Sequence, residues 1–344
     1  MKIFWLTPLS GYKTNLRSDT LWGVVCWGIR HLYGKEKLKD FLRECDEGNP
    51  PFVISSPFPF KQIGEKRIPY FPKPILPVKS DSKDESEDVL TEYRLRKEVK
   101  KMTMVNLKDF NEILNGKLTH EDFKNRAKEW LEYKKSGTDI LPKDMVKQRP
   151  PSRQILSVTH NTIDRVKLST LKKDDAGQLF HTDETFWEGG QDENRNPIRA
   201  GIFFLVKGET KMLEFVMRYY RHAGFGGDRS TGKGFFDVKT ENFAGFKEPP
   251  DANVMVNLSL YRPTKSELNF IEAHPEKCFY LLERRAGKVG FLLMKRNKPP
   301  QMYFKEGSVF PIFPDEKKKE SFGSLKKFEK EKLWVLDPVI SVHP

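Results

Sequence analysis

The sequence predicts an α+β fold made of two sheet-plus-helix units of the β-α-β-β-α-β kind, each carrying insertions. Three observations carry that expectation. The chain has 344 residues, 37% of them hydrophobic, more than one core usually covers and enough for two. A strand, helix, strand rhythm opens the sequence and returns in its second half. Between the halves lie long polar and helical stretches and a candidate antiparallel hairpin, which a purely parallel sheet would accommodate badly. The expected division is 1–200 and 201–344.

The elements follow in order. Lys2 leads into Ile3, Phe4, Trp5 and Leu6, and the run ends at Pro8 before Gly11 and Tyr12; this reads as a first strand and not as a leader peptide. Ser18, Asp19 or Thr20 can cap a helix whose face carries Leu21, Trp22, Val25, Ile29 and Leu32. Leu38, Phe41, Leu42 and Cys45 repeat the three-and-four spacing of a second helix. Prolines 50, 51, 57, 59, 69, 72, 74 and 77 exclude long helices there and leave short extended pieces such as 52–55. Ser80 to Asp88 holds no large apolar side chain and is expected to be a polar surface excursion.

Thr119 stands three before Asp122, with Phe123, Ala127, Trp130 and Leu131 following, the pattern of a capped helix in a mostly helical insertion at about 109–136. Ile155 to His160 and Gln178 to Phe186 flank a polar interval and predict a projecting hairpin over about 155–186. A strand at 202–206, a helix marked by Met212, Leu213, Val216 and Tyr220, and strands at 235–240 and 254–260 come next. Thr264 opens a further helix with Glu267 in the reciprocal capping position, and strands are expected at 277–283 and 289–295.

Lys and Arg number 61 against 48 acidic residues, a net charge of +13, which favours a polyanionic partner. Ribosome-associated factors, acidic-lipid binders and proteins from hot environments share such a balance, so charge permits a nucleic-acid partner without singling it out. Cys26, Cys45 and Cys278 are odd in number and far apart; they exclude a zinc-finger spacing and point to a reducing, cytoplasmic setting. No apolar stretch approaches the roughly 20 residues of a membrane span.

The most informative segment runs from His222 to Phe235. Gly224, Gly226, Gly227, Gly232 and Gly234 put five glycines into eleven positions, an entropic cost that some geometric need must balance. Backbone without β-carbons can approach a phosphate, with Arg229 and Lys233 supplying charge, Ser230 and Thr231 hydroxyls, and Arg218 and Arg221 on the preceding helix extending the positive surface. A nucleotide phosphate loop is the obvious competitor, but Gly234 follows Lys233 where a magnesium-binding hydroxyl is needed, and the flanking order is helix to strand. A purely structural glycine turn is the other competing reading.

On the hairpin, His160, Asn161, Ile163 and Arg165 bring donors together with an isolated apolar side chain. Ile163 can wedge between bases while Asn161 and Arg165 hold phosphate or sugar; alternatively Ile163 and Phe180 pack on their own domain. His160, His181 and Asp183 lack a fourth metal ligand, and no metal or cofactor is expected. There is no Gly-x-Ser-x-Gly elbow. Metal-free RNA cleavage is the enzymatic alternative, with His31 as base and Tyr33 beside it. The basic residues of 284–298 and Lys317 to Lys319 read either as a solvated face or as contacts to RNA or a neighbouring subunit. Phe58-Pro59 and Phe71-Pro72 suit an exposed interface and a packed loop equally.

Taken together, the loop Gly224 to Gly234 after a helix, the start Ser18-Asp19-Thr20-Leu21-Trp22-Gly23, the segment His160 to Arg165 leading to Leu179-Phe180, and the late Glu306-Gly307-Ser308-Val309 resemble the RAMP proteins of type III CRISPR–Cas effector complexes. The particular likeness is to the Cas5-like group of the Csm-type (III-A) complex. The resemblance implies two ferredoxin-like (RRM-like) RAMP domains with the glycine loop at their junction, holding the 5′ tag of the crRNA. It implies that Ile163 and its neighbours lie on a thumb-like hairpin close to the target RNA. The implied partners are a large, polymerase-like Cas10-type subunit and a Csm3-type backbone subunit, and the implied role is non-catalytic. The equivalent subunit of the Cmr-type (III-B) complex is the nearest rival, followed by a metal-independent CRISPR RNA endoribonuclease.

Overall fold

The computed structural model describes residues 1–13, 16–75, 89–137, 142–173, 176–191, 195–286, 299–313, 326–328, 333–335 and 341–342. The mixture of helix and sheet agrees with the α+β expectation. β1 (Lys2–Pro8) forms where its apolar run predicts, and α1 (Ser18–Asp46) joins both expected helices across a kink at Gly34. Arg17 is the N-cap residue and makes no side-chain cap. Ser18, one of the expected caps, instead accepts a hydrogen bond at Oγ from the Leu260 amide at 3.0 Å; a buried hydroxyl at the helix start is spent on a distant segment. Leu32, expected on the packed face, is exposed.

The prolines keep β2 (Phe52–Ile54), β3 (Phe58–Ile63) and β4 (Lys66–Pro72) short. The helical insertion is wider than expected, with α2 (Val89–Lys101), β5 (Met104–Asn106), α3 (Leu107–Leu114), α4 (His120–Ser136) and α5 (Lys143–Gln148). α4 opens on the predicted box, Asp122 accepting from the Thr119 amide at 2.7 Å. α2 escapes a pattern search because its buried apolar contacts, Leu95 and Val99, sit among charged residues.

β6 (Arg153–Asn161) leads to a tip with two small ladders, β7 (Ile163–Asp164) on β8 (Ser169–Thr170) and β9 (Lys172–Lys173) on β10 (Ala176–Gly177), and returns as β11 (Leu179–Trp187). Then follow β12 (Gly190–Gln191), β13 (Pro197–Gly208), α6 (Lys211–Ala223) and β14 (Phe236–Asn242). The remainder comprises β15 (Val254–Asn257), α7 (Lys265–Ala273), β16 (Leu282–Arg285), β17 (Gln301–Phe304), β18 (Val309–Pro311), β19 (Lys326–Phe328), β20 (Leu333–Val335) and β21 (Ser341–Val342).

β1 is central to an eight-stranded sheet of order β14-β1-β13-β3-β4-β5, with β2 and β12 also on β13. It pairs antiparallel with both β13 and β14, Phe4 facing Phe204 on one side and Thr240 on the other. The expected division at 200/201 therefore falls inside β13, and the segment through β14 belongs with β1. The strand, helix, strand rhythm restarts near residue 200; sheet pairing does not respect that restart.

Alternation along β1 supplies two cores. Phe4 and Leu6 meet α1 and α6 through Leu21, Trp22, Val25, Leu213 and Val216. Ile3 and Trp5 point the other way, onto Phe60, Phe71, Phe203 and the insertion's Phe110. Phe58 and Phe71 are buried, so the Phe-Pro pairs serve packing and not an exposed interface.

A third core gathers Met255, Tyr261, Ile271, Phe304 and Phe310. β15 stops earlier than the expected 260, because Leu258 accepts at its carbonyl from the Ser56 amide (2.8 Å) and Leu260 donates to Ser18. The strand expected at 277–283 begins only at Leu282, after a 3₁₀ turn at Pro275–Lys277. The strand expected at 289–295, the polar run 80–88 and the lysines 317–319 lie outside the described residues. Along this seam Arg17 pairs with Glu283 at 3.0 Å and with buried Glu306, Ser56 Oγ donates to Glu306, and Arg285 donates to both oxygens of Asp19 at 3.0 and 3.2 Å.

Candidate nucleic-acid interface

Helix α6 ends where Gly224 takes φ 62° and ψ 166°. The chain then runs through Gly226, Asp228, a 3₁₀ turn at Arg229–Thr231, and Gly232 into β14. A neck closes the loop: the Phe225 amide donates to the Gly234 carbonyl at 3.0 Å, and the Phe225 ring stacks on Phe236 at 4.8 Å. Gly234 has φ +73°, and a β-carbon there would lie 2.1 Å from the Phe225 oxygen. The structural-turn reading thus explains the neck. It also accounts for Gly226 and Gly232, at φ 93° and 88°, but not for Gly227 or for an apex at which Gly226, Gly227, Arg229, Ser230, Thr231 and Gly232 are all exposed.

The basic side chains divide into two sets. Lys13 pairs with Asp228 across the loop, Lys233 Nζ lies 2.7 Å from Glu184 Oε2, and Arg221 lies 3.0 Å from Asp237. Arg229 and Arg218 are exposed and carry no ion pair among the described residues; Arg218 rests over the Phe215 ring at 5.5 Å. Thr231 donates its hydroxyl to the Asp228 carbonyl at 2.8 Å, tightening the turn. An anion approaching the apex meets one free guanidinium, the Ser230 hydroxyl and backbone that glycine leaves bare.

Residues Ser10 to Lys13, which the sequence marks only as a turn, strap this loop to the hairpin. The Gly234 amide donates to the Gly11 carbonyl (3.0 Å), the Phe235 amide to Ser10 Oγ (3.1 Å), and Tyr12 and Thr185 exchange backbone bonds at 3.3 and 2.8 Å. Trp187 Nε1 donates to Tyr12 Oη at 2.9 Å, and burial pushes that phenol up to about 12. A β-carbon on Gly11 would lie 2.7 Å from the Phe186 ring and 2.8 Å from the Glu184 carboxylate, so only glycine passes there. Glu184 escaped the sequence reading. Its signal is the register: it faces Leu156, an acid on an otherwise apolar rung.

The hairpin forms as expected, nine residues against nine, from Arg153 opposite Trp187 to Asn161 opposite Leu179. His160 stacks on its cross-strand neighbour Phe180 at 5.2 Å. Ile163 is 63% and Val166 92% exposed, and Phe180 is exposed too, so the tip does not pack on its own domain. Asn161 Nδ2 donates to Thr170 Oγ1 at 2.9 Å and Arg165 is exposed; Asp164 Oδ1 accepts from the Val166 and Lys167 amides, turning the tip. His181 and Asp183 lie on the opposite hairpin face from His160, and among the described residues no three His, Cys, Asp or Glu side chains are grouped to hold a metal. His31 stacks on Trp27 at 5.7 Å, exposed, with no ion-pair partner among the described residues.

No family model matches the chain. It is similar to the CRISPR system protein Csm4 of Streptococcus thermophilus, 26% identical over 206 residues, covering 60% of this chain and 50% of that one. It is also similar to Csm4 of Methanocaldococcus jannaschii, 27% identical over 207 residues, covering 51% and 52%. The chain spans about half the length of the curated relatives it matches. In fold it is similar to a chain of the Csm3–Csm4 subcomplex of the type III-A CRISPR–Cas interference complex (TM-score 0.59, 19% identity, 99% of this chain and 98% of that one). A chain of the Csm1–Csm4 cassette in complex with pppApA aligns with TM-score 0.52 at 18% identity, over 99% and 96%. Among the described residues no helix is long and apolar enough to cross a membrane.

Proposed function

The chain is Csm4-like, and from that premise we propose that it is a non-catalytic, crRNA-binding subunit of a type III-A CRISPR effector complex. In this reading the exposed loop apex anchors the 5′ tag of the guide. The chain then bridges a large Cas10-type subunit to Csm3-type backbone subunits, close to the target RNA. The observation that carries the reading is the division of charge at the loop: Lys13 and Lys233 are consumed inside, while Arg229 and Ser230 face outward over bare backbone.

The architecture supports the same reading. β1, α1, the β2 and β3 segment, β13, α6 and β14 follow the β-α-β-β-α-β order, and the sheet order β14-β1-β13-β3 is that of a ferredoxin-like unit. The hairpin β6–β11, with Ile163 and Phe180 exposed, is suited to act as a thumb that inserts an apolar side chain between bases. His160, Asn161 and Arg165 line its approach. The fold neighbours sit in assemblies with Csm3 and with Csm1, which supports partners of those two kinds.

The test is RNA binding by the assembled complex carrying Arg218→Ala and Arg229→Ala. Each lost phosphate contact flattens the salt dependence of log K by about 0.7 for a single strand. The expected result is weaker binding of a repeat-derived 5′-tag RNA, by about tenfold or more, with a shallower salt slope. Unchanged affinity and slope would overturn the assignment.

A further inference from the structure

We propose that Glu184 and Lys233 form a latch fastening the glycine loop to the hairpin, which makes Lys233 a positioning residue and not a phosphate ligand. This rests on the RNA-binding reading of the apex. Glu184 is 0% exposed, and neither of its oxygens accepts a well-formed hydrogen bond from the described residues. Its charge is balanced by Lys233 Nζ at 2.7 Å and, when protonated, by His160 Nε2 at 3.7 Å. His160 is itself held, 2.8 Å from Thr182 Oγ1 and stacked on Phe180. Gly11 presents only backbone to the carboxylate, since a β-carbon would collide with it.

A buried carboxylate with one close cation keeps that cation. Were Lys233 to swing toward a phosphate, Glu184 would be left buried without its cation, and that electrostatic penalty opposes the gain outside. Lys233 belongs to the loop and Glu184 to β11. The ion pair therefore spans two elements that otherwise meet through the strap at Gly11 and Tyr12. Its effect is to hold the apex in one place relative to the hairpin, so that a displacement of the hairpin carries the loop with it.

Two measurements on the full chain separate the roles. Amide hydrogen exchange in Glu184→Gln and in Lys233→Met should accelerate at least tenfold at residues 232–235, while α6 stays as protected as before; unchanged protection in Glu184→Gln overturns the latch. In the assembled complex, Lys233→Met should weaken tag-RNA binding with the salt slope unchanged, whereas a slope flattened by about 0.7 marks a phosphate ligand and also overturns it. Should Lys233→Met fail to fold, the apolar pair Glu184→Leu with Lys233→Met carries both measurements, since it strands no charge: restored protection at an unchanged slope is expected, and a flattened slope is the contrary result. The exchange experiment needs no RNA, so it stands whether or not the Arg218 and Arg229 substitutions bear out the binding role.

Discussion

Two buried glutamates sit at two junctions of this molecule, and their surroundings differ in kind. Glu306, at the seam between the large sheet and the third core, is met by the Arg17 guanidinium and by the Ser56 hydroxyl, which Ser18 in turn contacts through its amide at 3.0 Å. Glu184, between loop and hairpin, has a lysine and a more distant histidine and no well-formed hydrogen bond. A guanidinium in a hydrogen-bonded network is fixed in direction as well as in place, while a lysine's point charge fixes place alone. The seam is built to be permanent; the loop–hairpin junction is built to hold a position.

The largest effect expected from breaking this contrast is at the seam. Arg17→Met leaves Glu306 buried without its cation and should cost about 3–5 kcal/mol, read from urea denaturation. A loss below about 1 kcal/mol would mean the seam is no firmer than a surface ion pair. Next comes the neck of the loop. Gly234→Ala forces a side chain into a positive φ and against the Phe225 oxygen, and should cost about 1–3 kcal/mol while loosening the apex that Lys233 and Gly11 position. An unaltered midpoint there would show that the neck gives way easily.

The smallest effect sharpens the contrast with a third buried charge. Lys61 donates to the Val146 carbonyl at 2.9 Å, and burial, with Arg149 nearby, lowers its amine to about 8 from the ordinary 10.5. Between those values the unfolded chain binds the proton and the folded chain does not, so stability rises with pH across that window. Relative to Lys61→Met, the native chain should gain about 1 kcal/mol or more between pH 8 and 10.5 in pH-resolved thermal unfolding. A flat difference would put Lys61 in contact with water.

What the sequence made legible was local. Thr264 and Glu267 cap α7 through mutual bonds at 2.7 and 3.2 Å, and a four-residue motif suffices to write that. The hairpin is legible because two extended runs flank a polar interval and pair in simple register. The glycine loop was visible by composition alone. The boundary at 200/201 was not, because Phe204 belongs to Phe4 through a pairing that leaves no mark near residue 200. Nor was the fate of Lys233: its partner Glu184 lies on another element, and a lysine beside glycines reads as free until the register of β11 is known. Phe58 and Phe71 show the same limit: their prolines left surface and packing equally open, and the sheet buries both.

The placement of β1 has a consequence for how the chain is made. The strand partners of Phe4 are Phe204 and Thr240, so during synthesis the first strand leaves the ribosome long before either exists. Contacts that distant along the chain close slowly, and an unpaired apolar strand attracts other edges while it waits. The helical insertion and the hairpin emerge within that interval. Topology thus leaves the nascent Ile3 to Leu6 segment without a strand partner for most of synthesis, with α1 the nearest element against which Phe4 and Leu6 pack.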